Sequence, residues 1–286
     1  MSLEVKNLVK IFNGKKVLDD ISFRVENGQT LGVVGFSGSG KSTLLKIISG
    51  ILYKDGGEIN YPKDSEIAMA FQYSALFDFL SVHDNIAFPL VERREFKGKY
   101  TSEEISKIVS EKLRLVGLEG IQDKFPSELS GGMQKRVGFA RAIVTNPNII
   151  LYDEPTAGLD PVTSTMIEDY IVHLKKELNA ACIVVTHQLS TIKRAVDYVI
   201  MLYQGKIVFT GSVQELLMGT NEYARQFVSA SIQGPMNIAS RENKRIKNGE
   251  ENKIYFSTKS WLINIKRNFN SYLYCSLGKR KKFVCR

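Results

Sequence analysis

Alternating apolar and polar positions dominate the first thirty residues. Leu3-Glu4-Val5-Lys6 and Ile21-Ser22-Phe23-Arg24-Val25 change face at every step, and Asn13-Gly14 lies between them. Period-two runs around an Asn-Gly pair predict two antiparallel strands joined by a turn. The pattern then changes. Leu31-Gly32-Val33-Val34 is almost continuously apolar, the mark of a strand covered on both faces, and it runs straight into a glycine-rich loop. Residues 42–49 read as a helix stopped at Gly50, and a polar, irregular stretch extends from there to about Asp64. Over residues 101–118 apolar side chains recur at helical spacing (Ile105, Ile108, Val109, Leu113, Val116) until Gly117. Ile149-Ile150-Leu151-Tyr152 and Cys182-Ile183-Val184-Val185 are two further buried strands, with a helix over residues 162–178 between them. Strand, helix, strand in that order predicts an α/β fold, with parallel strands and helices on both faces. Two more apolar runs flank Gln204-Gly205 as a hairpin, and the chain shows no internal repeat.

Composition adds three limits. The 286 residues, 43% hydrophobic and 24% charged, have the make-up of a soluble globular protein of one or two domains. No apolar run approaches the roughly 18–20 residues of a membrane-spanning helix, and the N-terminal residues lack a signal-peptide core. Cys182, Cys275 and Cys285 form no disulfide framework, which points to a reducing compartment. The net charge of +9 is unevenly placed: residues 241–286 hold 13 Lys/Arg against 3 Asp/Glu. The first 240 residues are therefore close to neutral, and charge gives no reason to read them as a nucleic-acid binder. The division expected is a globular body over 1–240 and a basic extension over 241–286.

The loop after the third predicted strand is Gly35-Phe36-Ser37-Gly38-Ser39-Gly40-Lys41-Ser42, a P-loop with a strand before it and a helix after it. Its glycines let successive N–H groups point at phosphate oxygens, and the helix N-terminus adds positive partial charge. Lys41 is expected to reach the β/γ-phosphates and Ser42 to bind Mg²⁺. Asp153-Glu154 follows a buried strand at its carboxyl end, where ligands of open α/β sheets lie. Asp153 suits a Mg²⁺-holding role and Glu154 that of general base, although an isolated Asp-Glu after a strand equally suits a helix N-cap. The amide of Gln72, after the apolar run 67–71, can touch Mg²⁺ or the attacking water. His187 ends the strand 182–186 and can orient that water beside the γ-phosphate, while His83 and His173 read as structural. Three strands thus end in Gly35, Asp153 and His187, which can converge at one sheet edge.

A second glycine loop, Leu129-Ser130-Gly131-Gly132-Met133-Gln134, opens another predicted helix. One nucleotide seldom needs two such cradles from one chain, which suggests that two copies close on shared nucleotides. The P-loop, Gln72, this second loop, Asp153-Glu154, Ala157-Gly158-Leu159-Asp160 and His187 occur in that order, and together they resemble the nucleotide-binding subunit of ABC transporters over roughly residues 1–230. The resemblance implies a P-loop NTPase with a RecA-like core, an antiparallel β subdomain, and an inserted helical subdomain over about 73–144. It implies ATP and Mg²⁺ as cofactors. Phe12 would stack on adenine where the family usually has Tyr. Gly35, Ser37, Gly38, Ser39, Gly40, Lys41, Ser42 and Thr43 would cradle the phosphates, and Ser42, Gln72 and Asp153 would hold the metal. Lys41, Gln72, Glu154 and His187 would carry hydrolysis. Ser130, Gly131, Gly132 and Asp160 would serve the partner's site, so that ATP closes a homodimer and hydrolysis releases it.

With no spanning segment of its own, such a subunit would work with separate permease subunits. Residues 73–90, with Phe77, Phe79 and Phe88 the largest, would face them. The same stretch, with Ala75-Leu76-Phe77-Asp78 and Asn85-Ile86-Ala87-Phe88-Pro89-Leu90, resembles ATPases of the Mla type, which serve MCE-domain lipid transport. Met133 and the Gln226-Phe227-Val228 and Gly234-Pro235 segments agree with that group. The implied place is the cytoplasmic face of an inner membrane or the stromal face of an organelle membrane, with an MCE-domain protein as a further partner and no specific nucleic acid. The competing readings are an ABC transporter ATPase for another substrate and, further from the motifs, a soluble ABC-type ATPase acting on nucleic acid, a class that usually carries two motif sets or long coiled coils. The extension 241–286 mixes its basic residues with seven aromatics and reads as a solvated tail or as a membrane-surface segment, and RNA binding would use the same residue types.

Overall fold

A computed structural model of the chain describes residues 2–72 and 74–236. The basic extension, with Cys275 and Cys285, lies outside the described residues. In chain order the first strands are β1 (Ser2–Phe12), β2 (Lys15–Glu26) and β3 (Thr30–Val34), and β1 and β2 form the predicted hairpin. The helix α1 (Lys41–Ile48) follows the glycine loop. The next strand, β4 (Gly56–Asn60), corrects the reading of residues 50–64 as irregular. It pairs antiparallel with β1, Val5 opposite Ile59, and completes a three-stranded sheet of order β2-β1-β4. Gly56-Gly57-Glu58-Ile59-Asn60 has little strand propensity of its own; the open edge of β1 supplies the ladder that makes it a strand.

After β5 (Ile67–Ala70) come α2 (Val82–Glu92), α3 (Ser102–Leu115) and α4 (Gly131–Ile143), all within the 73–144 span. A capping box between Thr101 and Glu104 starts α3. The rest of the body is β6 (Ile149–Asp153), α5 (Pro161–Leu178), β7 (Ala181–Val185), α6 (Leu189–Ala195), β8 (Tyr198–Tyr203), β9 (Lys206–Ser212), α7 (Val213–Met218) and α8 (Glu222–Val228). The six-stranded sheet has the order β5-β6-β7-β3-β8-β9, parallel except for the β8–β9 hairpin.

Alternate residues of the central strands bury opposite faces. Ile150, Tyr152, Val184 and Met201 pack with the helices that follow β5. Ile149, Leu151, Val185 and Leu202 pack with α1 and the three-stranded sheet. Cover on both sides is why these strands read as unbroken apolar runs. Among the described residues no helix is long and apolar enough to cross a membrane.

Candidate functional site

Three adjacent strands, β6, β7 and β3, end at the same sheet edge and deliver the predicted loops side by side. Asp153 is level with Val185, and Thr186 N–H donates to Val33 O at 3.3 Å. The glycine loop is walled by other strands. A Cβ on Gly35 (φ 136°) would lie 2.2 Å from Leu202 O, and one on Gly40 (φ 109°) would lie 2.7 Å from Leu18 Cδ2. Only glycine fits both the left-handed backbone and the close approach. Lys41 Nζ donates to Gly35 O at 2.7 Å and Phe36 O at 3.1 Å, which folds the ammonium back under the loop. Burial pulls its pKa down, and the nearby carboxylates of Glu154 and Asp153 oppose that. Ser39 is buried with its Oγ unpartnered.

Ser42 Oγ donates to Asp153 Oδ1 at 3.2 Å, joining the start of α1 to the end of β6. Burial raises the Asp153 pKa, and the Ser42 hydrogen bond opposes the shift. A hydroxyl and a carboxylate in contact are hard oxygen donors of the type Mg²⁺ selects. Glu154 turns away. Its φ of 48° is a left-handed conformation rare for a side-chain-bearing residue, and its N–H donates to Val185 O at 2.9 Å. The kink aims its carboxylate at the next strand end, where Oε1 lies 2.9 Å from His187 Nδ1 while Oε2 is buried without a partner.

The other predicted residues divide. The β5–β6 register pairs Ala70 with Tyr152, and Gln72, two residues past the end of β5, is exposed. Phe12 ends β1 and is 43% exposed. Ser130 caps α4, accepting from Met133 N–H at 3.3 Å. The helix α4 buries Val137, Phe139 and Ile143 on the sheet face opposite α1. The second glycine loop at its start meets α5 just past Asp160: a Cβ on Gly132 would lie 3.0 Å from Thr163 Cγ2. Asp160 caps α5, accepting from the Val162 and Thr163 N–H groups at 3.0 Å and from Thr163 Oγ1 at 2.6 Å; these bonds, the Thr163 hydroxyl foremost, lower its pKa.

Sequence reasoning missed the residues that hold these loops. Lys135 on α4 donates to the carbonyls of Pro155 and Ala157, just past Glu154. Arg141 donates to Ser74 O and Ala75 O, each at 2.9 Å, and burial lowers its pKa to about 10. Buried Asn85 accepts from Phe77 N–H at 2.8 Å and donates to Phe77 O, Leu80 O and Ser81 O at 3.0 Å each. A lone Lys, Arg or Asn on a helix reads as a solvated side chain, and although Asn85 opens the 85–90 segment quoted for the resemblance, nothing in the pattern marked the bonds these three make.

The chain is similar to known proteins in sequence and in fold. Residues 18–157 match the family model described as ABC transporter. The chain is 43% identical over 263 residues to the Arabidopsis thaliana protein TRIGALACTOSYLDIACYLGLYCEROL 3, chloroplastic, covering 82% of this chain and 75% of that one. It is 35% identical over 258 residues to the probable ribonucleotide transport ATP-binding protein mkl of Mycobacterium leprae, covering 85% and 73%. Among solved structures, a bacterial ABC transporter cassette in dimeric form is similar with a TM-score of 0.66 at 30% identity, covering 74% of this chain and 98% of that one.

Proposed function

The chain belongs to the ABC transporter family, as the ATP-binding and ATP-hydrolysing subunit of a membrane transporter, and from that premise we propose that it powers the movement of a lipid. The observation that carries the lipid reading is the 43% identity, over most of both chains, to a plant protein named for a galactosylated diacylglycerol. The match of residues 73–90 to the Mla type agrees with it. The permease subunits would dock there, where Phe79 is 77% exposed beside the tilted Phe77–Phe88 ring pair, whose centroids are 4.8 Å apart. An MCE-domain protein would complete the assembly, on the cytoplasmic or stromal face of its membrane.

The residues fit Mg-ATP. The cradle admits no Cβ at Gly35 or Gly40, Ser39 offers an unpartnered buried hydroxyl, and Ser42 and Asp153 already touch. We assign Ser42, Asp153 and Gln72 to Mg²⁺, which when bound neutralises charge on the β/γ-phosphates. Gly35, Ser37, Gly38, Ser39, Gly40, Lys41, Ser42 and Thr43 would hold the triphosphate, with Lys41 exchanging loop carbonyls for phosphate oxygens. Glu154 would accept the proton of the attacking water, and His187 would hold the Glu154 carboxylate and the γ-phosphate in register. Ser130, Gly131, Gly132 and Asp160 would complete the neighbour's site. Closing of the 73–144 helical segment on the core would couple the two sites.

The test is to purify the full chain with its membrane partner, reconstitute the complex in vesicles, and follow ATP-dependent transfer of phospholipid and galactolipid to acceptor vesicles. Transfer that stops when ATP is withheld supports the reading. An ATP-hydrolysing complex that transfers neither lipid class, but carries a water-soluble substrate, would overturn it.

A further inference from the structure

Leu8, Lys10 and Phe12 share one face of β1, and the face changes from buried to exposed along them. Leu8 is fully covered, Lys10 is 7% exposed and Phe12 is 43% exposed. A lysine is rarely covered to that degree unless it is paired. Lys10 has two partners. Its Nζ lies 3.1 Å from Asp55 Oδ2 and sits over the Phe12 ring, 5.0 Å from the centroid. The same Asp55 oxygen accepts from Ile11 N–H at 2.6 Å, and Asp55 N–H donates to Val9 O at 2.9 Å. Asp55 therefore grips the backbone on either side of Lys10 as well as its ammonium. The Ile11 N–H foremost, and then the Lys10 ammonium, hold its carboxyl below the usual range.

The arrangement adjoins the P-loop. Lys10 pairs with Leu18 across the hairpin, and Leu18 with Val17 walls Gly40. An aromatic ring is thus fixed near the phosphate cradle with one face covered by a cation, while much of its surface stays open. A cation over a ring face restricts the ring's rotamer and leaves the opposite face for stacking. We propose that Lys10 and Asp55 position the Phe12 ring as the platform for the adenine base of ATP. Lys10 is a positioning residue here: it acts through Phe12 and touches no phosphate. A Tyr at position 12 could anchor itself through its hydroxyl; the Lys10–Asp55 pair does that work for a Phe. The inference rests on the reading of Phe12 as the base platform.

The experiment measures the affinity of the full chain for ATP and for inorganic tripolyphosphate, which lacks a base. Phe12→Ala is expected to weaken ATP about tenfold, the scale of one base–aromatic stack. Lys10→Met is expected to weaken ATP about three- to tenfold, the scale of one cation–π contact, and Asp55→Asn to fall between it and wild type. Lys10→Arg, which keeps a cation over the ring, restores ATP binding. Tripolyphosphate affinity stays at the wild-type value in all four. If Phe12→Ala weakens ATP and Lys10→Met does not, the positioning role falls and the platform stands. If Phe12→Ala leaves ATP binding unchanged, the platform reading itself fails. Equal losses for ATP and tripolyphosphate in Lys10→Met would make the pair a support of the hairpin only and overturn the inference. Should Lys10→Met not fold, Asp55→Asn against Lys10→Arg decides by the same comparison.

Discussion

His187 Nδ1 lies 2.9 Å from Glu154 Oε1, across the ends of two neighbouring strands that are parallel and in register. The pair is unequal. The His187 side chain is 62% exposed, whereas that of Glu154 is 13% exposed with its second oxygen buried and unpartnered. A carboxylate with one oxygen held and the other free is built to accept a proton from a bound water.

Glu154→Gln is predicted to lower ATP hydrolysis about a hundredfold or more, the usual scale of a lost general base. The amide keeps the shape and still bonds to His187, so nucleotide binding survives and the ATP-bound dimer accumulates. Turnover assays and size-exclusion chromatography with ATP check both parts. A monomer under those conditions would contradict the shared site.

Two glycines are predicted to behave in opposite ways. At Gly35 a Cβ meets Leu202 O at 2.2 Å on a φ of 136°, so Gly35→Ala destabilises the fold by roughly 2–4 kcal/mol. At Gly131 a Cβ has nothing within 4 Å in its own chain. Gly131→Ala therefore changes stability by no more than about 1 kcal/mol, the usual Gly/Ala difference in a helix. If a partner's nucleotide is what requires the bare backbone, Gly131→Ala loses ATP-driven dimerisation while remaining folded. Thermal unfolding and sedimentation separate the two effects.

The site was legible where its chemistry is local. Strand, glycine loop and helix around Lys41 are contiguous, and so are β6 with Asp153 and Glu154. The convergence of Gly35, Asp153 and His187 followed from parallel strands alone. The sequence could not show that Glu154 adopts a left-handed turn, because that turn is fixed by the hydrogen bond to Val185 of another strand. β4 was hidden for a similar reason: its glycines argue against a strand, and only β1 makes it one. Lys10, Asn85, Lys135 and Arg141 are polar residues whose roles come from the carbonyls, carboxylate or ring that tertiary contacts bring to them, which no periodicity records.

Asn85 fastens the loop ahead of α2 with four hydrogen bonds. Asn85→Ala leaves the part-buried Phe77 N–H and Leu80 O without this partner, while Phe77 O keeps the Leu80 N–H and Ser81 O the backbone N–H of residue 85, a loss of about 2–3 kcal/mol. For a body of this size that lowers Tm by roughly 5–10 °C. If residues 73–90 dock the permease, the variant also separates from its membrane partner on purification while free-chain ATP binding persists. Calorimetry and co-purification test the two halves.

Asp153 should make the free chain less stable as pH rises. Burial raises its folded pKa above the ordinary 3.8, so in the window just above that value the unfolded chain gives up this proton before the folded chain does. The folded state then binds more protons, and its stability falls until pH passes the folded pKa. Asp153→Asn has no such proton. Without Mg²⁺ or nucleotide, the stability of Asp153→Asn relative to wild type is predicted to climb from pH 4 and then level off. Denaturant unfolding at stepped pH gives the curve; parallel lines for the two proteins would refute the assignment.

A buried hydrogen-bond chain joins the segments just past Glu154 and His187 to α5. Thr191 Oγ1 donates to Glu168 Oε1 at 2.8 Å and lies 2.9 Å from Thr156 Oγ1, and all three residues are buried. Because the Thr191 hydroxyl hydrogen is committed to the carboxylate, Thr156 must be the donor to Thr191. A directed chain thus runs from the loop just past Glu154, through α6 just past His187, to α5. Thr191→Val keeps the volume but leaves the Thr156 hydroxyl and the Glu168 carboxylate facing a methyl group, a loss of about 2–3 kcal/mol. Its effect on hydrolysis should be specific. The P-loop and Phe12 are untouched, so KM for ATP holds, while kcat falls because the Glu154 and His187 loops are no longer fixed to each other from below. Thr191→Ser, which retains the hydroxyl, should recover kcat. Steady-state kinetics on the two variants decide it: a fall in kcat/KM carried by KM, or a serine no better than the valine, would mean that the chain supports the fold and has no part in setting the catalytic pair.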